Sequence, residues 1–197
     1  MPPPIEATSA DLPPAVAAAL CDPAPGRRTA TNAGGYTFSS LAWGDPDARP
    51  LLLVHGVTAS AVTWWRMGPA LAASGRHVVA PDLPGHGQTG GWRRRHRFAQ
   101  TAADLAEFAR AVGLERPDLE VIGHSWGGMV CADLPSVGLR PRVLLLLDPP
   151  ALPLSYFEGY VRDPQEQLFA TLNEATATIR PRTRSGSKAK SSPRLRA

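Results

Sequence analysis

Val121-Ile-Gly-His-Ser-Trp-Gly-Gly-Met-Val130 is the stretch on which the reading of this chain turns. Within it, Gly123-His124-Ser125-Trp126-Gly127 sets two glycines around a serine in the Gly-x-Ser-x-Gly spacing, which lifts the serine onto a sharp turn between a strand and a helix. A residue held in such a strained conformation needs flanks without a Cβ, because side chains there would run into the strand and the helix behind it. Ser125 is therefore the candidate nucleophile. The flanks agree with this. Leu119-Glu-Val-Ile122 is a short apolar run suited to a buried strand, and Trp126 to Asp133 continues as a helix stopped by Pro135. Upstream, Leu51-Leu-Leu-Val54 is a second buried-strand run. It ends in His55-Gly56-Val57, where the backbone turns and can leave N–H groups to hold an oxyanion.

Two further landmarks lie between these runs. Trp64 and Trp65 are expected to open a helix after the His55-Gly56-Val57 loop, and Val78-Val-Ala-Pro-Asp-Leu-Pro-Gly-His-Gly87 reads as a strand followed by a glycine-rich turn. In this order the four segments resemble the α/β-hydrolase family, and within it the capped serine hydrolases; residues 36 to about 160 carry the resemblance. The family usually has a serine two residues after the last glycine of that turn. Here the positions are Gln88 and Thr89, and Thr89 supplies a hydroxyl.

The resemblance implies an α/β fold with a mostly parallel sheet flanked by helices. It also implies that Ser125 attacks an ester, amide or related acyl bond of a small-molecule substrate, with the N–H groups of Val57 and Trp126 holding the oxyanion. A serine at this position argues against haloalkane dehalogenase and soluble epoxide hydrolase chemistry, for which the resembling families place Asp at the elbow. No metal or cofactor is implied, and no His, Cys or carboxylate cluster has ligand spacing.

The rest of the chain fits one domain. Its 197 residues are enough for a sizeable core, and 43% hydrophobic content is ordinary for a globular protein. Residues 1–30 are rich in Pro and Ala and read as a lead-in with one short helix at Pro14 to Cys21. The hydrolase core is expected over 31–152. Tyr36 to Trp43 reads as a hairpin arm or two short strands. Beyond it, strands near 51–54, 77–80, 119–123 and 143–147 alternate with helices near 64–73, 99–112 and 125–133, the pattern of a parallel, doubly wound sheet. The helix at 99–112 sets Ala102, Leu105, Ala106, Ala109 and Val112 on one stripe and Asp104, Glu107 and Arg110 on the other face. Residues 153–179 read as the start of a helical cap, which would shape the substrate pocket. The two cysteines, Cys21 and Cys131, read as buried free thiols. With no secretory signal and no apolar run long enough for a bilayer, the expected location is the cytoplasm.

The segment 180–197 differs in kind. It carries seven of the 21 basic residues, including both lysines of the chain, while all 17 acidic residues precede it. With almost nothing apolar it builds no core and reads as a disordered tail. Its charge alone would attract phosphates, but no aromatic interleaving or recognition motif accompanies it, so neither specific nucleic acid nor membrane is an expected partner. The change of composition reads as a different frame, or unrelated sequence, beyond a break near residue 180.

That break bears on function. In α/β-hydrolases the triad follows the order Ser, then Asp or Glu, then His, and no histidine follows His124 here. Such a chain reads as C-terminally truncated and without its general base. His55, His77, His86 and His124 each have a structural explanation, and His96 sits in the polar run Trp92-Arg-Arg-Arg-His-Arg97. Asp148, after Val143-Leu-Leu-Leu-Leu147, is the candidate acid, with a simple turn before Pro149 and Pro150 as the competing explanation. Asp82 reads as a turn residue. Without its base such a chain would have impaired hydrolase activity; the alternative is a non-catalytic binding or interaction protein with the same fold. The uncovered 143–147 strand would be an open sheet edge, favouring self-association.

Overall fold

All four residues of the Leu51 to Val54 run are buried, because strand β3 (Arg49–Val54) lies inside a sheet covered on both faces. The computed structural model describes residues 12–91 and 97–150, all within the first of two units, 1–151 and 152–197. Side chains on a strand alternate between faces. Accordingly Leu52 and Val54 enter one core cluster with Phe38, Leu105, Phe108, Val121 and Val130, whereas Leu51 and Leu53 enter the other with Trp43, Trp64, Val78 and Ala80. An uninterrupted apolar run is what a strand buried on both faces requires.

After helix α1 (Pro14–Cys21), strands β1 (Arg27–Ala33) and β2 (Tyr36–Trp43) form an antiparallel hairpin. Helix α2 (Met67–Ala73), β4 (Arg76–Pro81), α3 (Phe98–Ala111), β5 (Glu120–His124), α4 (Trp126–Ala132) and β6 (Val143–Leu147) complete the described elements. The sheet order is β1-β2-β4-β3-β5-β6; β4, β3, β5 and β6 run parallel and β2 joins β4 antiparallel. The sheet is thus mostly parallel, as expected, with an antiparallel arm at one edge. From β3 the chain steps through α2 to β4 on one side, and from β5 through α4 to β6 on the other. Residues from α2 pack on the Leu51 face and residues from α4 on the Leu52 face. Loops leaving β3 and β5 therefore diverge at the carboxyl ends of these two strands, the topological switch point where open α/β sheets bind their ligands.

At the amino ends of the same strands, Glu120 of β5 is paired with Arg76 of β4 at 2.8 Å and with Arg49 of β3 at 3.4 Å. Burial opposes its ionisation, but hydrogen bonding and charge from Arg76, with Arg49 behind it, hold its carboxyl below the usual range.

Several expectations are corrected by this structure. The helix expected over 64–73 is two pieces, a 3-10 turn at Ala61–Trp64 and α2 from Met67. Pro69 explains the break: it has no N–H, and its ring would clash with the carbonyl four residues back in a continuous helix, whereas in the first turn of α2 it is tolerated. Asp104 is buried, not on an outward face; Gly34, at φ 55°, brings the β1–β2 turn against it, and Gln100 Nε2 donates to Asp104 Oδ1 at 3.2 Å. Strand β1 starts at Arg27, inside the stretch read as lead-in, whereas Tyr36 to Trp43 is a hairpin arm, the first of its two expected forms. Cys131 is buried as expected, and burial pushes its thiol pKa up, but Cys21 is exposed. Among the described residues no helix is long and apolar enough to cross a membrane. The cap at 153–179, the tail at 180–197 and His96 lie outside the described residues.

Candidate active site

Ser125 closes β5 and precedes the first residue of α4, with φ 52° and ψ −123°. Such a backbone is sterically costly for a residue with a Cβ, and three features hold it. The Ser125 N–H donates to Leu147 O of β6 at 2.8 Å, its carbonyl accepts from Gly128 N–H at 2.8 Å, and its two flanking glycines sit where side chains do not fit. A Cβ on Gly123 would lie 2.8 Å from both Gly127 O and the Gly128 Cα, and one on Gly127 would run into the carbonyls of Val54 and His55.

The loop after β3 meets this turn. Val54 and Gly123 are level in the parallel pairing of β3 and β5, so both chains leave the sheet at the same height. Gly56 then packs against the elbow: a Cβ there would stand 3.3 Å from Ser125 Cβ and 3.3 Å from His124 Nδ1. Gly56 O accepts from Ala59 N–H at 3.1 Å, which puts Val57 at the corner of a tight turn with an exposed side chain. The Trp126 ring packs near Phe98 and stacks on His86 with centroids 5.8 Å apart. Asp148 is one strand over. His124 pairs with Leu147 across β5 and β6, so Asp148 follows β6 at the level at which Ser125 follows β5, exposed and with φ 47°.

The histidines separate by place. His55 is fully buried; its Nε2 accepts from Leu83 N–H at 3.0 Å, so its proton is on Nδ1, which donates to Gly56 O at 2.8 Å. Burial first, then the neighbouring His86, lower its pKa to about 4, against support from the Gly56 hydrogen bond. With both nitrogens committed to backbone, His55 shapes the loop and has no lone pair for a substrate proton. His77, near the amino end of β4, has its pKa lowered by burial and by Arg27 and Arg116. His124 Nδ1 is buried without a hydrogen-bond partner among the described residues. His86 Nε2 donates to Val57 O at 2.6 Å.

Two residues have larger parts here than their sequence suggested. Asp82 is 1% exposed; its Oδ1 accepts from Ala61 N–H at 2.7 Å, and its Oδ2 accepts from Gln88 N–H at 3.0 Å and pairs with Arg28 at 3.1 Å. Thr89 does supply a hydroxyl, donating to Asp82 O at 2.6 Å and accepting from Ser39 N–H at 2.9 Å. Asp82 and His86 both belong to the Asp-Leu-Pro-Gly-His turn, the signal through which they were visible. Among the described residues no group of three or more His, Cys, Asp or Glu is placed to hold a metal ion.

A family model described as alpha/beta hydrolase fold matches residues 49–172. Epoxide hydrolase A of Mycobacterium tuberculosis is 34% identical to this chain over 122 residues, 60% of this chain and 37% of that protein. Among solved structures, a membrane phospholipase A described as a bacterial virulence factor matches with a TM-score of 0.60 at 28% identity, over 70% of this chain and 46% of that one. The thioesterase domain from the curacin biosynthetic pathway matches with a TM-score of 0.55 at 27% identity, over 61% of this chain and 43% of that one. The chain spans less than half the length of each of these relatives. The family match takes in β3 through β6, the Ser125 turn and the loop beside it, and covers more than half of the sequence: this chain belongs to the α/β-hydrolase fold family.

Proposed function

We propose that the chain carries the nucleophile and oxyanion half of a serine hydrolase that cleaves ester, amide or related acyl bonds. The observation that supports this reading best is the backbone of Ser125, at φ 52° between two glycines at the carboxyl end of β5, with the Gly56 turn against its Cβ. In the proposed reaction Ser125 Oγ adds to the acyl carbon, the carbonyl π electrons move onto oxygen, and the N–H groups of Val57 and Trp126 take the resulting charge. Collapse of that intermediate expels the leaving group and leaves an acyl-enzyme, which water then hydrolyses. A serine, unlike the Asp of dehalogenase and epoxide hydrolase elbows, suits acyl transfer. The phospholipase and thioesterase neighbours are consistent with this, as their names denote acyl chemistry.

The attacking hydroxyl must lose a proton, and Asp148, which follows the neighbouring strand β6, would be the acid of the triad. An imidazole would have to link Asp148 to Ser125, and two of the described histidines are unsuited to that. His55 is committed to backbone, and His77 lies toward the other end of the sheet. Losing the histidine of a serine triad costs on the order of 10⁶ in turnover. The second reading is a binding or interaction protein that keeps the fold without its catalysis.

Labelling with a fluorophosphonate followed by peptide mapping separates the two. The expected result is slow modification confined to Ser125 and absent in Ser125→Ala; no preference for Ser125 over the other serines would overturn the assignment. Hydrolysis of p-nitrophenyl acetate by the 197-residue chain is expected to exceed that of Ser125→Ala only slightly. A hundredfold drop on that substitution would instead mean that one of the present histidines, His86 or His96, serves as base.

A further inference from the structure

We infer that residues 82–86, the turn after β4, clamp the loop of residues 55–61 in its oxyanion-binding shape, and that His86 is the positioning residue that couples this clamp to both halves of the hole. The inference rests on the serine-hydrolase reading above. Three hydrogen bonds carry it, from three residues of one short turn to three residues of the loop. Asp82 Oδ1 accepts from Ala61 N–H at 2.7 Å, Leu83 N–H donates to His55 Nε2 at 3.0 Å, and His86 Nε2 donates to Val57 O at 2.6 Å. They fall before, within and after the Gly56-Val57 corner, so the loop is fixed on both sides of the glycine that packs against Ser125.

The base of the clamp is rigid. Asp82 is held from the other side by Arg28 and by the Gln88 N–H, and Gly87, at φ 53°, lets the chain fold back so tightly over the Asp82 carboxylate that a Cβ would collide with it. His86 is the half-exposed member. Both ring nitrogens face carbonyl oxygens, Nε2 toward Val57 O at 2.6 Å and Nδ1 toward Pro84 O at 3.1 Å; a neutral imidazole carries one proton, and the shorter contact assigns it to Nε2, which donates to Val57. The same ring lies 5.1 Å from the His55 ring and stacks at 5.8 Å and 29° on Trp126, the residue that follows Ser125. One imidazole thus touches the backbone of one proposed oxyanion donor and the side chain of the other.

Two variants separate donor from ring. His86→Phe keeps a ring against Trp126 and removes the donor; His86→Gln removes the ring and keeps an N–H. Two measurements apply to each: hydrogen exchange of the Ala59 and Ala61 amides, and the rate of Ser125 modification by a fluorophosphonate across probe concentrations. His86→Phe is expected to speed exchange at Ala59 and Ala61, but not in β3, and to lower the saturating labelling rate about tenfold with the half-saturating probe concentration unchanged, because a displaced donor costs reaction more than binding. His86→Gln is expected to recover most of both. Unchanged exchange at Ala59 and Ala61 in His86→Phe would overturn the clamp, and equal slowing in both variants would assign the effect to ring packing and overturn the donor role. Absence of any Ser125 labelling in the unmodified chain would count against the serine-hydrolase reading instead, and the exchange data would still decide the clamp.

Discussion

Ser125 and His55 are a turn and a support, and the contrast between them shows which residue-level features a sequence exposes. The Ser125 conformation was readable because its requirement is local: two glycines at fixed offsets are the visible trace of side chains that cannot fit. The state of His55 was not, because it depends on an N–H from Leu83, 28 positions away. That state has a measurable consequence. The pKa of His55 is lowered from 6.5 to about 4 by burial, so the unfolded chain binds this proton more tightly than the folded one. The stabilisation from keeping His55 neutral is complete above pH 6.5 and is lost as the pH falls from there through 4, by up to about 3 kcal/mol in all. Urea midpoints measured between pH 7 and pH 4 should therefore fall less steeply for His55→Gln than for the parent chain, from a lower starting value. Equal slopes would place the acid sensitivity elsewhere.

The elements best anticipated are those with strong one-dimensional patterns: β4, β5 and β6 are within a residue of their expected spans, as is α3. The misjudged ones depend on partners. Strand β1 is mostly polar and half-exposed, and only its pairing with β2 identifies it as a strand; Asp104 sits inside because a distant glycine turn covers it. Strand β6 poses the sharpest question at this scale. Leu144 and Leu146 pack on the core while Val143, Leu145 and Leu147 are exposed, and among the described residues it pairs only with β5. An apolar strand with one unpaired side is a template for a second chain, and each leucine it covers would contribute about 1.5 to 3 kcal/mol. We predict concentration-dependent association of the 197-residue chain by light scattering, reduced in Leu145→Lys, whose charge penalises a second strand. A monodisperse species at micromolar concentration would show that this edge is covered within the chain.

For the molecule as a whole, family and sheet were legible from four segments in order, because an α/β sheet concentrates its chemistry at the ends of its most apolar strands. What was not legible is how the segments brace one another: the clamp from the turn after β4, and the Arg76-Glu120-Arg49 pairing that ties three strands together at their other end. The strands β3 and β5 run from that pairing to the Ser125 turn, and their middles are apolar. Glu120→Gln removes the charge of a buried carboxylate held between one half-exposed and one exposed arginine and is expected to cost about 1 kcal/mol of stability, seen as a lower melting temperature, while Ser125 labelling in the folded chain stays within twofold of the parent. A parallel loss of labelling would mean that the two ends are coupled. If they are not, the sheet acts as an insulator between two separately adjustable terminals: substitutions that tune cohesion at one end leave reactivity alone, and the loops at the other are free to change their chemistry without loosening the fold.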